Sequence, residues 1–166
     1  MHNLFPLVSE TANIRGILEI IKESGGVIEL SELADEAEID IDFLMPLVEA
    51  CDMLGFTDVD ESEIKLTALG RKVNPGNMSK ILRERLVKLE PFKSAISALT
   101  RSHLTTEELV QELSSKGITL DGHAETNFMN MKKLLLRIGV RAKLLEYDSE
   151  NDTWAVLKQK KPKKKA

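Results

Sequence analysis

The side chains best suited to chemistry in this chain are amides and cations gathered between positions 127 and 143. They are Asn127, Asn130, Lys132, Lys133 and Arg137 on one helical stretch, then Arg141 and Lys143 at the foot of a following hairpin. Asn can hydrogen-bond the edge of adenine and Lys or Arg can hold a phosphate, so the group is compatible with DNA. Docking on the acidic first half of the chain or on a dimer mate, or simply facing water, would satisfy the same side chains. A second group has the opposite sign: Asp40, Asp42, Glu49 and Asp52, with Met45 and Met53 between them and no Lys or Arg. Such a face repels phosphate, and a protein partner with a basic or apolar surface fits it better.

No arrangement for catalysis accompanies these faces. The histidines His2, His103 and His123 are scattered, and none has a second His or Cys at metal-ligand spacing. Surface or capping roles are expected for them. Cys51 lies in an apolar run with Leu47, Val48, Ala50 and Leu54, which reads as a small core residue and not a reactive thiol. The acids between Glu29 and Asp42 lack the D-x-[DN]-x-[DN]-G loop of a calcium site and read as a solvated face. No G-x-x-x-x-G-K-[ST] loop is present to cradle a nucleotide's phosphates. The expectation is a non-enzymatic chain that uses no cofactor and no metal.

The elements that must position these faces follow from periodicity. Ile14, Ile17, Leu18 and Ile21 form one apolar stripe on a helix over 11–24, closed by Gly25-Gly26. A β-prone piece, 27–30, comes next, and Ser31 is expected to cap a short helix over 32–37. A third helix opens at Asp40 or Asp42, carries Pro46 near its first turn, and turns Leu44, Leu47, Val48, Cys51 and Leu54 to the core. Gly55 ends it. The alternating runs 56–59 and 63–67 flank a polar turn and predict a β-hairpin. Helix, strand, helix, helix, hairpin is the order of a winged helix, a helix-turn-helix with an appended wing.

Asn74-Pro75-Gly76-Asn77 is the clearest break, and the order then recurs at a period of about 80–90 residues. A helical pattern through Ile81, Leu82, Leu86 and Leu89 is interrupted at Pro91 and resumes through Phe92, Ile96 and Leu99. Its cations Lys80, Arg83, Arg85, Lys88 and Lys93 suit either a connector between units or a dimerisation helix, so a homodimer is one of the expected states. Thr105 or Thr106 caps the next helix, with Glu108 at capping-box spacing from Thr105. The helix carrying Phe128, Met131, Leu134, Leu135 and Ile138 follows, then a hairpin over 143–147 and 153–157. The fold expected is mainly α with small β-hairpins: two tandem winged-helix-like units, 1–75 and 76–158, followed by a flexible basic tail, 159–166.

Charge separates the units. Residues 1–75 hold 5 Lys/Arg against 16 Asp/Glu, a net of −11, whereas residues 76–166 hold 18 against 11, a net of +7. Halves of opposite sign should attract each other or meet different partners. The N-terminal residues show no signal-peptide pattern, and no apolar run approaches the roughly 20 residues that span a bilayer, so a cytoplasmic location is expected.

Three strings carry a resemblance: Leu47 to Phe56, Leu66-Thr67-Ala68-Leu69-Gly70-Arg71, and Leu144-Leu145-Glu146-Tyr147-Asp148. Over roughly residues 8–157 the chain resembles the C-terminal AAA-associated domain. That domain is found after the ATP-binding cassette in prokaryotic transport ATPases of the nitrate/sulfonate/bicarbonate class. The resemblance implies an interaction and regulatory module beside such an ATPase, peripheral at the inner membrane, and carries over no catalytic or ligand residues. The alternative is a winged-helix DNA-binding regulator that uses the second unit and the basic tail.

Overall fold

The computed structural model describes residues 3–8 and 10–158. The chain is mainly helical, with two small antiparallel sheets. Its first helix, α1 (Thr11–Glu23), buries Ile14, Ile17, Leu18 and Ile21, the stripe expected from their spacing. Strand β1 (Val27–Glu29) follows and runs directly into α2 (Leu30–Ala37). Ser31 therefore lies inside the first turn of α2 and not at its cap. Glu29 holds the cap position and gives no side-chain hydrogen bond, because the strand feeds the helix with no polar residue between them. Helix α3 (Ile41–Met53) is capped by Asp40, whose carboxylate accepts from the Asp42 N–H at 2.9 Å. Pro46 sits one turn deeper than its spacing suggested, as the sixth helical residue.

The chain then forms β2 (Thr57–Asp60), β3 (Glu63–Leu66) and the short helix α4 (Ala68–Lys72). The three strands pair antiparallel in the order β1-β3-β2, with Ile28 opposite Ile64 and Thr57 opposite Leu66. Two glycines in the strings noted above have specific tasks. Gly55, at φ +81°, ends α3: the Phe56 N–H bonds Cys51 O at 3.0 Å and the Gly55 N–H bonds Asp52 O at 3.0 Å. Gly70 has no room for a side chain, since a Cβ there would stand 2.0 Å from Phe56 O.

The Asn74–Asn77 break is a closed turn. Asn74 Oδ1 accepts from the Gly76 and Asn77 N–H groups, and Asn77 Nδ2 donates to Lys72 O at 2.7 Å. Helix α5 (Met78–Leu86) then buries Met78, Leu82 and Leu86. Pro91 falls in the gap before α6 (Phe92–Arg101), as the sequence indicates. Helix α7 (Thr106–Ser115) begins with the expected capping box of Thr105 and Glu108. Helix α8 (Ala124–Leu134) continues into a π-helical segment, Leu135–Val140, which the periodicity did not reveal. Gly139 in this segment lets Leu145 and Phe92 approach; a Cβ would meet Leu145 Cδ1 at 3.0 Å. Strands β4 (Leu145–Asp148) and β5 (Thr153–Val156) form the closing hairpin. A single bridge between Leu104 and Trp154 occupies the place that β1 takes against β3 in the first half.

One core runs through both halves. It joins Phe5, α1, α3 and β3 to α5, α6, α8 and Trp154. The extended residues before α1 belong with the second half: the Glu90 N–H donates to Asn3 O, the Phe5 N–H to Glu90 O, and the Phe5 ring meets the Phe92 ring edge-on at 5.7 Å. The basic helix α5 bonds to both halves. Arg85 Nε donates to Leu54 O at 2.9 Å across the halves, and Arg83 reaches Ala142 O.

Candidate functional site

The acidic face is assembled on α3. Asp42, Met45, Glu49 and Asp52 follow one another at helical spacing and are all exposed, with Asp40 beside them at the cap. The opposite face holds the helix down, because Leu44, Leu47, Val48, Ala50 and Cys51 are buried. Cys51 is wholly enclosed, and burial, aided by the charge of Asp52, pushes its thiol up to about 12. It is a packing residue. Asp52 accepts from the Thr57 hydroxyl at 2.5 Å. Desolvation raises its carboxyl and Asp58 adds to this, while the Thr57 bond opposes them.

Phe43 was missing from the reading of this face. It leaves the first turn of α3 with 75% of its surface exposed. Its position lies off the Leu44, Leu47, Val48, Cys51 stripe, which is the signal that could have revealed it. With Leu7, which is also exposed, Phe43 helps line a cavity of about 240 Å³ that includes Val8, Ile39 and Pro46, while the exposed Ile41 and Met45, two residues to either side, point to another face of α3. A second cavity, of about 360 Å³ between α1 and the α2–α3 turn, shares Asn13, Ile39 and Leu47 with it. Glu36, Glu38, Asp40 and Asp42 are exposed nearby in the chain. Exposed apolar and acidic side chains thus share the start of α3 and the turn before it.

The basic group on the second half is only partly assembled. Lys133, Arg137 and Arg141 are exposed at successive turns, and Asn130 is half-buried. Lys143 is exposed with φ +62° at the foot of the hairpin. Asn127 corrects the expectation. It is 4% exposed, and its Oδ1 accepts from the Leu120 N–H at 2.7 Å, so it faces inward to fasten the link before α8. Lys132 is half-buried, with its ammonium 5.3 Å from the centre of the Tyr147 ring, an interaction internal to the chain. The hairpin beyond is acidic at Glu146, Asp148, Glu150 and Asp152. Hydrogen bonds from Asn151 hold Asp148 below the usual carboxylate range, and the Thr106 hydroxyl does the same for Asp152.

His103 is exposed after α6, and His123 occupies the cap position of α8 with its ring 3.3 Å from Asp121. His2 and the basic tail 159–166 lie outside the described residues. Among those described, no cluster of His, Cys, Asp and Glu is placed to hold a metal ion, and no helix is long and apolar enough to cross a membrane. No ion pair among them joins the acids of 1–75 to the bases of 76–158; the pairs formed lie within each half.

Fold and faces together define a small, mainly helical domain whose surface chemistry is charge and apolar contact. The chain belongs to the C-terminal AAA-associated domain family, whose model matches residues 31–148. Membership points to association with an ATPase. Comparison with the curated proteins gave no match. The family span includes the Gly55 helix end, the Gly70 close approach and the first strand of the second hairpin.

Proposed function

We propose that this chain is a non-enzymatic docking module for an ATP-binding cassette transport ATPase of the nitrate/sulfonate/bicarbonate class, built as two winged-helix units, 1–75 and 76–158. The observation that carries the reading is Phe43, an aromatic ring 75% exposed beside the acidic face of α3. An aromatic ring left in water beside other exposed apolar side chains is the anatomy of a protein contact. The acids around it select a partner whose apolar surface is rimmed by Lys and Arg, and steer that partner in. The same acids would oppose a symmetric contact between two copies through this face.

The test is co-purification of the tagged full chain from its native cells. Recovery of a transport ATPase by the natural chain and its loss with Phe43→Asp is the expected result. Binding should weaken by about 10–100-fold, roughly 1.4–2.8 kcal/mol. Stability should stay within about 0.5 kcal/mol, because the ring is exposed. Equal recovery by both proteins, at equal stability, would overturn the reading.

A DNA-binding reading has one observation in its favour, the exposed Lys133, Arg137 and Arg141 along one helix. The acidic hairpin and the loss of Asn127 and Lys132 to internal contacts weigh against it. A mobility-shift titration with random duplex at low salt decides: steeply salt-dependent binding, weakened by Lys133→Glu with Arg137→Glu, would support it.

A further inference from the structure

We propose that the cleft between α7 and α8 binds a small organic cation with an apolar body and a hydrogen-bond acceptor. The cleft holds about 480 Å³, within the range of about 300–1,000 Å³ of small-molecule sites. It lies on the second half, away from the Phe43 patch, and does not depend on the docking reading above.

Each part of the ligand follows from a wall of the cleft. Val110, Phe128 and Met129 supply apolar surface for the body, and Met129 is 56% exposed when the cleft is empty. Asn127 supplies a donor. Its Oδ1 is committed to the Leu120 N–H, which can only donate, so the amide orientation is settled and the other end must be the NH₂ group. That Nδ2 has no hydrogen-bond partner among the described residues, and since no buried side-chain nitrogen or oxygen is left without one, it meets solvent where Asn127 lines the cleft. A ligand acceptor would take the place of that solvent on a side chain the fold otherwise holds still.

Glu107 and Glu125 set the charge. They stand in the first turns of α7 and α8, on facing walls, and neither has a cation within ion-pair distance among the described residues. Among the described residues, no Lys, Arg or His lines the cleft. An ammonium or guanidinium is therefore attracted, whereas a carboxylate is repelled.

The matched probes are L-phenylalaninamide (ammonium, carbonyl, ring), its neutral N-acetyl derivative and the anion N-acetyl-L-phenylalanine. Each is titrated into the full chain at mildly acidic pH and followed by amide NMR. The cation should give saturable shifts confined to residues about the cleft, with the neutral compound at least about 5-fold weaker and the anion without effect. Glu107→Gln with Glu125→Gln should remove the preference for the cation while leaving weak binding. Ser114→Trp fills the cleft from an exposed position and should weaken the cation about 10-fold or more. Absence of saturable shifts, equal binding of the anion, or shifts only with a long apolar-basic peptide would overturn the proposal. Failure here would leave the Phe43 test unaffected, since that test reads a different face.

Discussion

At the scale of single residues, the buried polar chemistry of the second half converges on one threonine. The Thr106 hydroxyl donates to Asp152 Oδ1 at 2.5 Å and accepts from the Trp154 indole at 2.8 Å, while the Tyr147 hydroxyl reaches the same carboxylate at 2.9 Å. Thr106→Val keeps the shape and strands the indole N–H, so it should cost about 1–3 kcal/mol in denaturant unfolding and disturb the near-UV signal of Trp154. Asp152 adds a pH dependence. Its carboxyl is held low chiefly by Thr106, against a burial effect of opposite sign, with Tyr147 assisting. A carboxyl lowered in the folded state contributes stability above its unfolded value and loses it as pH falls through the folded one. Between about pH 6 and about pH 3, melting of the natural chain should therefore fall more steeply than that of Asp152→Asn. Equal slopes would refute the assignment. From the sequence, Thr105 and Thr106 were both cap candidates, with Glu108 at capping-box spacing from Thr105. That local box gives the cap to Thr105, while the second hairpin, distant in sequence, draws Thr106 into the buried network.

At the scale of elements, the helices and hairpins were legible because their signals are local. The stripe on α1, the Asp40 cap of α3, the capping box of α7 and the glycine after α3 all act within a few residues. The π-helical stretch after α8 was not legible, because it answers to Leu145 and Phe92 packing against Gly139. Glycines show the same division. Gly16, inside α1, has open space around its absent Cβ, whereas a Cβ on Gly70 in α4 would stand 2.0 Å from Phe56 O. Gly16→Ala should stabilise the chain by about 0.5–1 kcal/mol. Gly70→Ala should destabilise it by about 1–3 kcal/mol or more, since backbone must move to admit the methyl group. Paired urea titrations check both signs at once, and a stabilising Gly70→Ala would show the close approach to be wrong. In the Leu69-Gly70-Arg71 string, the glycine is where α4 passes the Phe56 carbonyl just before β2.

At the scale of the whole molecule, the two halves are joined by packing and backbone bonds. Arg85 reaches Leu54 O, and Phe5 carries the N-terminal segment into the second half against Phe92. Unfolding should therefore be cooperative: Trp154 fluorescence, which reports the second half, and far-UV circular dichroism, which reports both, should give one midpoint. Phe5→Ala should lower that midpoint for both probes, at a cost of about 3–5 kcal/mol. Separate midpoints in the natural chain would mean that the halves unfold independently. By itself, the sequence determined the mainly helical class, the repeated element order, the opposed charges and the family strings, because composition, periodicity and helix caps are properties of neighbouring residues. Tertiary structure alone decided which of the polar residues face outward. It turned Asn127 inward to Leu120, laid Lys132 on Tyr147 and left Phe43 in water, since each outcome depends on what the fold brings from distant positions to lie beside it.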